Sequence, residues 1–203
     1  MRLEKIIGLA VGGMSLFHPI SSGANEVVSG KVEFRKMYSP GEIKRIVEET
    51  ALNHGVDPHL ASAVAYNESR YQPHVVSHMG AIGPMQLMPE VAEELGVNPY
   101  DPIDNIKGGV ELLKQHENRY DRGDNTMDRE ELYRTMAAAY HAGFPTVDIK
   151  KEKYGENGWF GKLKRSTRSY VNEVLGTYRD SIGVNQEKVI SGAYFPIDYS
   201  FVE

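Results

Sequence analysis

The chain has 203 residues, 40% hydrophobic and 25% charged, enough to bury one real core and too apolar for a disordered segment. Its net charge is −5, with acidic and basic residues mixed along the sequence, so no basic run offers phosphate neutralisation and no nucleic-acid partner is expected. There is no cysteine, which removes disulfides, thiolate metal ligation, a thiol nucleophile and lipid attachment through an N-terminal cysteine.

At the N-terminus, Arg2 and Lys5 precede the apolar run Ile6 to Phe17, and Ser22-Gly23-Ala24 supplies small residues at the spacing an export peptidase accepts. Residues 1–24 therefore read as a signal peptide, the run being shorter than the roughly 20 residues a membrane span needs. Residues 25–38 are a polar segment. Ser39-Pro40-Gly41-Glu42 then forms a capping box with proline at the first helical position, and Ile43, Ile46, Val47 and Ala51 follow at helical spacing up to Gly55. Asp57 with Pro58 starts a second helix, whose stripe of Leu60, Ala61 and Val64 runs into Asn67-Glu68 and stops near Tyr71, ahead of Pro73.

Residues 72–84 read as a loop, Pro89 to Leu95 as a short helix closed by Gly96, and Asn98 to Pro102 as a turn. Ile106, Val110, Leu113 and Tyr120 define a long helix, and Asp128 with Glu131 reads as a capping box for another through Ala142. Residues 143–162, rich in glycine and aromatics, read as a second loop. Val171, Val174, Leu175 and Tyr178 mark the last helix. Strand-like alternation is almost absent, so the expected fold is mainly α, a single domain over residues 39–182. Residues 183–203 form a tail whose Tyr194, Phe195, Tyr199 and Phe201 suggest packing against the body.

Glu68 stands out because it follows Val64 by four residues and Leu60 by eight, which turns its carboxyl toward the core. Burial disfavours the charged form and equips a carboxyl to hold its proton near neutral pH, as a general acid must. The alternative is a buried ion pair with a basic neighbour such as Arg70.

The residues that follow carry a resemblance. Glu68-Ser69-Arg70-Tyr71-Gln72-Pro73, then Ser77-His78-Met79-Gly80-Ala81-Ile82-Gly83-Pro84-Met85-Gln86-Leu87-Met88-Pro89, resembles the signature of the soluble lytic transglycosylase (SLT) family. Ala138-Ala139-Tyr140-His141-Ala142-Gly143 resembles the family's A-A-Y-N-A-G block, and Ser166-Thr167-Arg168-Ser169-Tyr170-Val171 its E-T-R-x-Y-V block. The resemblance implies a lysozyme-like fold with minimal β structure and a peptidoglycan lytic transglycosylase that cleaves the MurNAc–GlcNAc β-1,4 bond. It makes Glu68 the acid/base and places Ser77, Met85, Gln86, Tyr140 and Tyr170 along the glycan groove, with no cofactor and no metal. The implied partners are peptidoglycan glycan strands and an envelope or secretion-apparatus component, for a monomer exported to the periplasm or cell envelope. Gly80 and Gly83 suit close ligand approach, Ser77 and Gln86 can bond amides and hydroxyls, and Met85 and Tyr140 offer apolar faces. The pattern departs at three positions: His141 replaces an asparagine, Pro84 a leucine, and Ser166 a glutamate that faces the groove in relatives.

His74 and His78 lie in a proline and glycine loop and read as surface residues rather than as metal ligands. Around Asp121, Asp124 and Asp128 the glycine and the terminal glutamate do not fall at the positions of a calcium loop, and the segment reads as an acidic turn between helices. Two rival functions remain. A goose-type lysozyme-like hydrolase needs a second carboxylate to activate water, and a non-catalytic wall-binding component leaves Glu68 idle.

Overall fold

A computed structural model describes residues 27–28, 31–32, 37–121, 123 and 127–183. The signal-peptide reading and the packing proposed for the tail aromatics concern residues outside that set. Residues 1–37 form one unit, in which β1 (Val27–Val28) pairs antiparallel with β2 (Lys31–Val32), Val27 opposite Val32. The helices belong to the unit of residues 38–203.

Helix α1 (Pro40–Asn53) starts with the expected capping box. The Ser39 hydroxyl accepts from the Glu42 N–H at 3.2 Å, and the Glu42 carboxylate accepts from the Ser39 N–H at 2.8 Å. In α2 (Pro58–Ser69) the Asp57 carboxylate accepts from the N–H groups of His59 and Leu60. Helix α3 (Pro89–Leu95) ends at left-handed Gly96, as its sequence requires. Helix α4 (Pro102–Tyr120) takes its cap from Asp101, whose carboxylate accepts from Ile103 and Asp104. Helices α5 (Arg129–Ala142), α6 (Phe144–Tyr154) and α7 (Arg165–Ser181) complete the set, with a 3-10 turn at Phe160–Lys162.

Two expectations are corrected here. Helix α5 starts at the expected place but makes no capping box. Asp128 gives no side-chain cap bond, and the reciprocal half of the box is missing because Glu131 is turned toward Arg134 at 2.5 Å and the Trp159 indole N–H at 3.2 Å. The segment 143–162 is not a plain loop, since a single residue, Gly143 at φ 77°, separates α5 from α6 and Pro145 sits in the first turn of α6. Val147 is the one buried residue of α6, so the helix carries almost no apolar stripe to read from sequence.

The core is built around α2. Leu60, Ala61, Ala63, Val64 and Ala65 are all buried, which leaves the helix apolar on every side for most of its length. Its small residues let neighbours approach, and α2 packs on α1 along one side and α7 along another. Helix α5 packs against α4, α6 and α7 and completes the layer behind the site. None of the described helices is long and apolar enough to cross a membrane.

The segment after α2 is braced by a small ladder. Val76 bridges Ile82, Ile82 bridges Leu87, and the Ile82 and Leu87 backbones exchange both N–H bonds at 2.9 and 3.0 Å. Asn105, fully buried on α4, holds that ladder from beneath. Its side-chain oxygen accepts from the Met85 N–H at 2.8 Å, and its amide donates to the carbonyls of Ile82 at 2.8 Å and Pro99 at 3.2 Å. Two glycines make the approach possible. A Cβ at Gly83, which has φ 76°, would meet Asn105 at 2.7 Å, and one at Gly109 would meet the Met85 side chain at 2.5 Å.

Replacing Asn105 by Ala removes these three bonds and leaves the buried Met85 N–H without a partner, while the Ile82 carbonyl keeps the Leu87 N–H. Asn105→Ala is expected to lose about 2–4 kcal/mol of stability in urea unfolding. A loss below about 0.5 kcal/mol, the size typical of a surface substitution, would show that the brace is not structural.

Candidate active site

Glu68 lies one residue from the end of α2, where the chain leaves the helix abruptly. Arg70 and Tyr71 both take left-handed backbone conformations, at φ 55° and 61°, although neither is glycine. The surrounding bonds hold this reversal in place. The Arg70 N–H donates to the Tyr66 carbonyl at 2.9 Å, the Tyr71 hydroxyl bonds the Ser62 hydroxyl at 3.0 Å, and Ser62 donates to Glu48 at 3.0 Å. The buried Ser69 hydroxyl lies 2.8 Å from the Pro84 carbonyl and ties the braced loop to α2.

The carboxyl of Glu68 does not pair with Arg70. That guanidinium sits over the Tyr66 ring, 4.1 Å from its centre, so the ion-pair alternative is not realised. Instead, the Tyr170 hydroxyl donates to Glu68 Oε1 at 2.6 Å, bridging from α7 to α2. Burial pushes the Glu68 pKa up to about 7, against the pull of the Tyr170 hydrogen bond, which favours the carboxylate. Among the described residues no carboxylate contributes to the shift. Near neutral pH the group thus exchanges its proton readily, as acid/base catalysis requires.

Two phenols flank this acid. Tyr140, near the end of α5, donates to the Met85 carbonyl at 2.7 Å. Burial first, then the Glu68 charge, holds both Tyr140 and Tyr170 well above the ordinary phenol value, so both remain donors. The His141 ring lies 4.6 Å from the Tyr170 ring. Burial lowers the His141 pKa, which favours its uncharged ring.

The structure separates the sequence-predicted site residues into two groups. Glu68, Tyr140, Tyr170 and the backbone of Met85 come together. The Met85 side chain, expected to present an apolar face to a sugar, is fully buried in the core beside Gly109, so its contribution is the carbonyl that Tyr140 engages. Ser77 and Gln86 lie on the braced loop and make no hydrogen bond to Glu68. The Ser77 hydroxyl accepts from the Ala81 N–H at 3.0 Å. Gln86, at φ 49°, spends its amide N–H groups on the carbonyls of Gly83 at 2.9 Å and Val75 at 3.2 Å. Its amide oxygen has no protein partner among the described residues.

Asn105 and Ser69 were not singled out from sequence as supports. The signal for Asn105 was available, because it adjoins core residue Ile106 and precedes Gly109 by four, which puts an amide on the buried face of a helix. A cavity of about 490 Å³ opens beside the site, bounded by His141 and Ser166 among others. A second, of about 590 Å³, lies at Glu131, Arg134, Trp159 and Phe160, and Glu68 lines neither.

A mainly helical domain that presents one partly buried acid between two phenols is the arrangement expected from the sequence motifs. The Transglycosylase SLT domain family matches residues 45–159, and the chain belongs to that family. Among similar proteins, the "Transglycosylase" of Enterobacteria phage PRD1 is 43% identical over 91 residues, covering 44% of this chain and 31% of that protein. "Membrane-bound lytic murein transglycosylase F" of Desulfosudis oleivorans is 40% identical over 103 residues, covering 50% of this chain and 22% of its own. The crystal structure of an inactive mutant of the lytic transglycosylase Slt from Pseudomonas aeruginosa superposes with a TM-score of 0.54 at 24% identity. It covers 70% of this chain and 25% of that one, a likeness of fold. The chain thus spans less than a third of the length of each of these proteins.

The raised Glu68 pKa fixes the sign of a pH effect on stability. Between pH 4.5 and about 7 the folded state keeps a proton that the unfolded state has lost, so this group's contribution to stability falls as pH rises through that window and stays low above it. Glu68→Gln, which cannot ionise, is expected to exceed the parent by about 1–3 kcal/mol at pH 8 and to match it near pH 4. Denaturant titrations at the two pH values check this, and a difference that is the same at both would contradict the shift.

Proposed function

We propose that this chain is a peptidoglycan lytic transglycosylase that cleaves the β-1,4 bond between N-acetylmuramic acid and N-acetylglucosamine. The observation that carries the reading is the solitary Glu68, with a pKa of about 7 and a phenol rather than a second carboxylate as its hydrogen-bond partner. Glycosidases that use water divide the work between two carboxylates. One acid suffices when the substrate supplies its own nucleophile.

Glu68 protonates the glycosidic oxygen as the bond breaks, and the muramoyl acetamido group steadies the oxocarbenium-like centre. Glu68, now the carboxylate, takes the proton from the C6 hydroxyl, whose attack on C1 gives the 1,6-anhydro product. The Tyr170 hydroxyl donates to that carboxylate throughout and stabilises it in its charged interval. Ser77, Gln86 and Tyr140 line the glycan groove in this reading, together with the Met85 backbone. Family membership supports the substrate class, and the names of the relatives, a phage transglycosylase and a lytic murein transglycosylase, agree with it.

The Arg2 and Lys5 charges, the apolar run behind them and the resemblance to proteins named membrane-bound support export to the periplasm or cell envelope. A monomer acting beside an envelope or secretion-apparatus partner fits that location.

Mass spectrometry of glycan digested by the protein tests the chemistry. The expected fragments end in a 1,6-anhydro sugar, one water lighter than a hydrolysed reducing end. Hydrated ends would instead favour a goose-type lysozyme-like hydrolase, and clearance by Glu68→Gln at the parent rate would leave a non-catalytic wall-binding component.

A further inference from the structure

We propose that the 490 Å³ cavity between the end of α5, α6 and the start of α7 binds the carboxylates of peptide stems on the glycan strand, through Lys150, Lys162 and Lys164. The inference rests on the peptidoglycan reading above and adds a second contact to the same substrate.

The charge of the cavity runs against that of the chain. None of the nine residues lining it is acidic, in a protein of net charge −5. Lys150, Lys162 and Lys164 have no carboxylate partner among the described residues, whereas Lys151 on the same helix is ion-paired with Glu156 at 2.6 Å. Lys150 and Lys162 further crowd one aromatic ring, lying 5.8 and 5.4 Å from the centre of Tyr154, with Lys153 also at 5.4 Å. The ring face attracts these ammonium groups but supplies no counter-charge, and a concave wall focuses the field that an entering anion meets. The first turn of α7 points the same way, since no side chain caps it and its leading N–H groups form the positive end of a 17-residue helix.

The cavity is also in the right place. His141 lines it, and the same ring lies 4.6 Å from the ring of Tyr170, whose hydroxyl donates to Glu68. Ser166 lines it too, and stands four residues before Tyr170 on one face of α7, a separation of about one 5.4 Å turn. In this inference a muramoyl residue cleaved at Glu68 extends its lactyl group, and the stem attached to it, toward the lysines. Stems end in free carboxylates spaced along a flexible peptide. Mobile ammonium groups match such a ligand better than the fixed fork of an arginine.

The test compares two substrates: glycan strands with their peptide stems intact, and the same strands stripped of stems by an amidase. The quantity read is the ratio of kcat/KM on the first to that on the second. In the double variant Lys150→Gln, Lys162→Gln this ratio is expected to fall by about tenfold, mainly through KM on stem-bearing strands. Lys150→Arg, Lys162→Arg is expected to restore most of it. If the double variant does not fold, Lys162→Gln alone, at an exposed position, reads the same ratio. A ratio unchanged in a variant that still cleaves would overturn the stem-binding inference alone. A wild-type protein that cleaves neither substrate would overturn the transglycosylase reading and this inference with it.

Discussion

A carboxyl group that keeps its proton near neutral pH must be withdrawn from water yet remain open to a substrate, and the placement of Glu68 meets both demands. The helix that carries it is apolar on nearly every side, so the carboxyl inherits a poorly solvated setting from residues chosen for packing. The chain then turns away at Arg70 and Tyr71 in two left-handed residues, which ends the helix beside the acid and stops further backbone from covering it. Unfavourable conformations of this kind persist only where the surroundings over-determine them. Here the Tyr71–Ser62–Glu48 chain and the Ser69 contact to Pro84 supply that constraint.

The loop facing Glu68 depends on a second buried polar group. Asn105 satisfies backbone groups at Met85, Ile82 and Pro99, in a space that two glycines keep open. Because the Met85 carbonyl accepts from Tyr140, the brace on α4 and the phenol on α5 meet at one residue, on the peptide units either side of it. The loop beside Glu68 is thus fixed from two helices, which is how a segment rich in glycine becomes a rigid wall.

Much of this was legible in the sequence where the signal was local. The caps at Ser39 and Asp57, and the Pro89 start with its Gly96 stop, express their physics within a few residues, and the structure repeats them. The stripe of Leu60 and Val64 pointed Glu68 inward for the same reason. Legibility failed where the outcome hung on distant partners. Glu131 gave up a cap for Arg134 and Trp159, Met85 turned into the core because Gly109 left it room, and α6 hides because it buries little but Val147. The tyrosine that holds Glu68 was named through a motif, but that its hydroxyl reaches Oε1 follows only from the packing of α7 on α2.

The central claim is that Glu68 is a lone acid whose proton is retained by burial. Its carboxyl carbon, labelled with carbon-13 and followed by NMR across pH, tests that claim without substrate. The expected midpoint is about 7, in a single step with no coupled partner. A midpoint near the ordinary 4.5, or a two-step curve showing a second carboxylate in contact, would contradict it.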